Sequence, residues 1–260
     1  MQDLTISLIQ INQKWESKEH NFSKYEFFLN SINKSQLIVL PEMFHTGFSM
    51  NVKHLAEEMD NSIGLKWLKK WSSKKNAAFY TSLIIRDGDD FYNRGVFVFP
   101  SGRIEYYDKR KSFGMADEHL FFKAGQKAKI VEYLGWKINL QICYDLRFPL
   151  ISLNSIGVDG APNYDLMIYV ANWPEKRSSH WKSLLISRAI ENQSFVAGVN
   201  RVGIDKNNLN HSGDSLICDA NGEIICSNKN EELVLTKTIS LETLKLLRSK
   251  LPFLKDQSSF

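Results

Sequence analysis

Short apolar runs, rich in β-branched and aromatic residues, recur along the whole chain, and stretches of helical periodicity separate them. The runs cover residues 4–11, 37–40, 79–85, 91–99, 103–107, 138–142, 166–171, 195–200, 215–219 and 223–226. Segments this short read as strands, which must pair into sheets and be covered by helices to bury their faces. RDGDDFYN, PSGR and DANGE supply the turn residues between neighbouring strands. Helical patterns are expected over 21–33, 64–75, 149–155, 179–193 and 241–249. The fourth is the clearest: Trp181, Leu184, Leu185, Ala189 and Ile190 make one apolar stripe, with Ser178 or Ser179 as its cap. No repeat, low-complexity tract or proline-rich linker divides the 260 residues. One α/β domain of mixed sheet order is the simplest reading.

Three of the strand-like runs deliver a reactive side chain as they end. Glu42 follows LIVLP, Lys109 follows RIEYYD, and Cys143 follows KINLQI, while DLMIYVA ends at Asn172, Trp173 and Pro174. Ligand sites in α/β sheets gather at the carboxyl ends of strands, so these ends can converge on one pocket. Taken singly, each residue has a plainer reading. Glu42 can cap a turn, the DKRK run around Lys109 suits a solvated face, and a lone cysteine is more often inert core. Together they make a chemical set. A cysteine nucleophile needs a base for its proton, which Glu42 supplies. Lys109 can hold the thiolate and then, with the backbone N–H of Tyr144, the oxyanion. Such a set runs acyl transfer without metal or cofactor.

Composition narrows the alternatives. A formal charge of +4 over 260 residues is too mild to point to nucleic acid or an anionic membrane. In KWLKKWSSKK the tryptophans lie four apart, so they pack on one face while the lysines stay wet. No apolar run reaches the length of a membrane span. The N-terminal MQDLTISLIQINQ reads as a first strand rather than a signal peptide, and three cysteines, Cys143, Cys218 and Cys226, do not make a disulfide framework. The expectation is a soluble cytoplasmic protein. Six scattered histidines and unpaired cysteine spacing argue against a metal site.

At the three strand ends the sequence resembles the nitrilase, or carbon–nitrogen hydrolase, superfamily. LIVLPEMFHTGF, YYDKRKSF and INLQICYDLRFP resemble its base, lysine and cysteine blocks in order. ADEHLFFKAG resembles the segment carrying an additional glutamate, here Glu118, and ANWPEKRSSHWKSLLISRAIENQSFVAGVNRVG and HSGDSLICDANGE resemble later segments. The resemblance implies a four-layer α-β-β-α sandwich in one domain spanning 1–260, with a core of about 4–235. Residues 236–260 are then a helix or extension packing on the domain or in an oligomer interface. It implies Glu42 as general base, Lys109 as catalytic lysine, Cys143 as nucleophile, Glu118 in support, no cofactor, and a homodimer or larger homo-oligomer. The DKR, CYDLRFP and ANWP segments look most like the omega-amidase branch, which hydrolyses small dicarboxylate monoamides such as 2-oxoglutaramate. The alternatives are the same triad acting on a nitrile, an N-carbamoyl compound or deaminated glutathione, or a catalytically silent binding protein of this fold. Two departures bear on the pocket: Lys111-Ser112 stand where His-Leu is frequent, and Leu150 where an acidic residue is frequent.

Arg147 either binds a substrate carboxylate or pairs structurally with Asp145 or Glu191, and its position four residues past the cysteine favours the structural role. Trp173, Phe113, Tyr144 and Phe44 are candidate pocket walls, with ordinary core packing at least as good a reading for Phe44 and Phe113.

Overall fold

The structure is a computed structural model that describes residues 3–259; Met1, Gln2 and Phe260, the ends of the expected 1–260 domain, lie outside it. The first half of the chain gives β1 (Leu4–Gln10), α1 (Lys18–Ser31), β2 (Leu37–Val39), α2 (Val52–Leu55), α3 (Ile63–Lys75), β3 (Ala78–Asp87), β4 (Asp90–Val98), β5 (Ile104–Asp108) and α4 (Glu118–Phe121). The second half gives β6 (Ile130–Tyr133), β7 (Trp136–Ile142), β8 (Leu166–Ala171), α5 (Ser178–Glu191), β9 (Phe195–Asn200), β10 (Val202–Ile204), β11 (Asn210–Cys218), β12 (Ile224–Lys229), β13 (Leu233–Ile239) and α6 (Leu241–Lys250).

Two sheets result. One runs β13-β1-β2-β3-β4-β5; the other runs β10-β11-β9-β8-β7-β6, with β12 beside β11. Each has a parallel centre, β1-β2-β3 and β7-β8-β9, flanked by antiparallel strands. Residues of both sheets share one apolar core between them, with Leu4, Ile6 and Leu8 from β1 and Ile138, Leu140 and Ile142 from β7. The alternation along β1 and β7 is what turns these side chains to the same face. The outer face of the first sheet packs on α1 and α3 through Tyr25, Leu29, Leu65, Leu68 and Trp71. On the second sheet, α5 lays Trp181, Leu185 and Ala189 against β9 and β11. This is the α-β-β-α sandwich. β8 and β9 are buried along their whole length, as central strands covered on both faces must be.

Several local expectations change. Residues 149–155 do not form a helix: a single 3₁₀ turn, Pro149–Ile151, is followed by irregular chain. The Asn154 side chain donates to the carbonyls of Tyr164 and Asn192, and its N–H goes to Asn192 Oδ1, so side-chain bonds replace the helical ladder. Neither Ser178 nor Ser179 caps α5; Ser178 Oγ donates instead to Asp214. Of the α5 stripe, Ile190 is half exposed. The apolar runs also pass over three strands, β6, β10 and β13. β13 pairs with the whole of β1, from Leu4 opposite Ile239 to Gln10 opposite Leu233. α6 then buries Leu241 and Leu244, and Arg248 binds Asp165 at 2.7 Å.

Candidate active site

The two sheets bring the carboxyl ends of β2, β5, β7 and β8 to one region. Glu42, just past β2, is wholly buried. Its Oε1 accepts from Lys109 Nζ at 2.9 Å and Asn93 Nδ2 at 2.7 Å, and its Oε2 accepts from the Asn172 N–H at 3.0 Å. Lys109, the residue after β5, also donates to both carboxylate oxygens of Glu118 at 2.9 Å. Glu118, the first residue of α4, accepts further bonds from the Phe113 N–H and from Asn93. The structure therefore brings Glu42, Lys109 and Glu118 into one buried cluster.

Backbone strain marks these positions. Met43, Asp117 and Cys143 hold φ of 47°, 51° and 44°, beside or at Glu42, Glu118 and the cysteine. Left-handed geometry costs a non-glycine residue about 1–2 kcal/mol, and such strain collects at functional sites. At Cys143 it turns the chain sharply from β7 into a short 3₁₀ segment, Cys143–Arg147.

Electrostatics set the resting state. Two carboxylates confront one ammonium, so the cluster has a formal excess of one negative charge. Although burial opposes its charge, Lys109 is held well above the usual lysine range by Glu118 and Glu42. Burial and then the Glu42 charge push the Cys143 thiol well up, against the pull of Lys109 and the Asn172 N–H. These influences favour the protonated thiol over the thiolate in the absence of substrate, and the Lys109 charge is already answered by two carboxylates.

Cys143, 8% exposed, lines a pocket of about 560 Å³ of empty space, part of it open to solvent. Phe113, Tyr144, Arg147, Asn172 and Trp173 share its walls. Phe44 does not; it lies in the core, stacked on His45 at 4.7 Å. Arg147 pairs with neither Asp145 nor Glu191. Arg188 takes Glu191, and the Arg147 guanidinium lies 4.7 Å over the Trp173 ring, beside His180. Sequence reasoning missed Arg177 and His211, which also line the pocket, and Asn93, which binds both glutamates. Nothing in the local pattern of YNRG distinguishes Asn93 from a turn-proximal strand residue. Leu150 is 84% exposed and, like Lys111, is not among the lining residues, so neither departure alters the walls.

A carbon–nitrogen hydrolase family profile matches residues 5–249. The chain is 42% identical to omega-amidase YafV of Yersinia enterocolitica, over 100% of this chain and 99% of that protein. It is 35% identical to 2-oxoglutaramate amidase of Bacillus subtilis, over 97% of this chain and 96% of that protein. A solved CN-hydrolase superfamily protein from Xanthomonas campestris, with an arsenic adduct in its active site, superposes with a TM-score of 0.97 at 40% identity, covering 100% of this chain and 99% of that one.

Proposed function

The chain belongs to the carbon–nitrogen hydrolase family, and we propose that it is an omega-amidase that releases ammonia from a small dicarboxylate monoamide such as 2-oxoglutaramate. The observation that carries this reading is the pocket: Cys143 lines it beside two guanidiniums, Arg147 and Arg177, and neither forms an ion pair among the described residues. A free carboxylate at the far end of the substrate answers that charge while the amide reaches the sulfur.

In the reaction the Cys143 sulfur attacks the amide carbonyl as Glu42 takes the thiol proton. Lys109 and the Tyr144 N–H stabilise the oxyanion. Collapse breaks the C–N bond, Glu42 returns the proton to the leaving ammonia, and a thioester remains. Water then attacks the thioester, Glu42 takes its proton, and the acid leaves as the thiol is restored. Glu118 shares Lys109 with Glu42 and so holds the ammonium in place. The same reading makes the enzyme a cytoplasmic homo-oligomer. Its unpaired thiols and the exposed apolar side chains Leu150, Leu153 and Ile190 support this.

Trapping the enzyme with 2-oxoglutaramate and mapping the adduct by mass spectrometry tests the chemistry. A thioester on Cys143, and no ammonia release by Cys143→Ala, are expected; an adduct elsewhere or an active Cys143→Ala overturns it. In a substrate panel, faster turnover of a nitrile or N-carbamoyl compound than of 2-oxoglutaramate and succinamate overturns the substrate class.

A further inference from the structure

Asp145 lies two residues beyond the cysteine, is wholly buried, and forms no ion pair among the described residues. Its carboxylate accepts three bonds. Oδ2 takes the Ile142 N–H at 3.1 Å and the Tyr107 hydroxyl at 2.9 Å, and Oδ1 takes the Lys111 N–H at 2.9 Å. Ile142 and Asp145 itself bracket Cys143 along the chain, while Tyr107 and Lys111 bracket Lys109.

These two stretches belong to different sheets. β5 ends the first sheet's order and β7 lies inside the second, so no backbone ladder sets the spacing between Lys109 and Cys143. Taking the reaction proposed above as premise, we infer that Asp145 is a positioning residue that fixes the Cys143 sulfur relative to the Lys109 ammonium by tying both strand ends to one carboxylate. The residue type fits the task. An ionised carboxylate is acceptor-only, so both oxygens can face donors, whereas an asparagine turns an NH₂ toward one of them. The bond from Ile142 also closes the turn that holds Cys143 at its left-handed φ. Burial outweighs the pull of Lys109 and the three donors and leaves the Asp145 carboxyl raised to about 7, so the acceptor-only form is the one that prevails above that pH.

The test compares Asp145→Asn, Tyr107→Phe and Cys143→Ala with the wild type. Readouts are kcat and KM per titrated Cys143 thiol, the iodoacetamide rate at Cys143, and the Tm. A misplacement of about 1 Å costs roughly 10²-fold, so Asp145→Asn is expected to lose about 10²-fold in kcat with KM within about 3-fold, and with a changed Cys143 alkylation rate. Tyr107→Phe removes one of three bonds and is expected to lose about 3–10-fold in kcat at unchanged KM. A folded Asp145→Asn with kcat within about 2-fold of wild type overturns the inference, as does a loss accounted for wholly by a smaller folded fraction. If Asp145→Asn does not fold, Tyr107→Phe decides, and an unchanged kcat overturns the inference. An active Cys143→Ala refutes the underlying reaction instead, so the two failures are distinguishable.

Discussion

Replacing Arg147 with glutamine removes charge from the pocket wall while leaving Cys143, Glu42 and Lys109 in place. The guanidinium is half-buried against Trp173, 4.7 Å from the ring centroid, so a carboxylate bound there as proposed would meet it in a setting drier than bulk water. A carboxylate about 4 Å away at an effective dielectric near 20 gains about 4 kcal/mol. Stripping water from both ions returns part of that, leaving about 2–3 kcal/mol. The expected loss in kcat/KM is therefore about 30–150-fold for 2-oxoglutaramate or succinamate. For butyramide, which has no carboxylate, the loss should stay within about 3-fold. Arg147→Lys keeps the charge but not the fork, and should fall between. Coupled detection of ammonia over a substrate series gives all these ratios. Equal losses for the charged and uncharged amides would refute the carboxylate assignment, because they would show that Arg147 acts through packing alone.

Three further outcomes follow from the geometry. Because burial and Glu42 raise the Cys143 thiol, its alkylation in substrate-free enzyme should keep rising from pH 7 to 9, followed on the Cys143 peptide; a plateau below pH 7 would contradict a protonated resting thiol. Burial and the nearby Arg201 lower His211 to about 4, so the folded state stays neutral while the unfolded chain takes a proton below its ordinary value. The unfolded state then binds more protons between about pH 6.5 and 4, and stability falls on acidification by up to about 3 kcal/mol; His211→Asn should flatten that part of the urea-stability profile, and identical slopes would refute it. A methyl at Gly125 would meet the Asp108 carbonyl at 2.1 Å, next to Lys109, so Gly125→Ala should cost about 2–3 kcal/mol and about 4–10 °C in Tm by calorimetry.

The strand ends carrying Glu42, Lys109 and Cys143 were legible in the sequence because each follows its own apolar run, and a run of this kind is a local signal. The turns at Gly88, Gly102 and Gly222 were legible for the same reason: positive φ is written in the residue type. β13 was not, because its partner β1 lies more than two hundred residues away and its alternation is weak. Nor was the direction of Arg147, which depends on Trp173 from another strand end and on Arg188 having taken Glu191. Asn93 and Asp145 read as ordinary polar residues until the sheets face each other. The chain alone determined which side chains stand at strand ends and in what order. Only the packing of two sheets decided their distances, their charge balance and which polar residues hold them, because those are set by contacts between segments that share no local pattern.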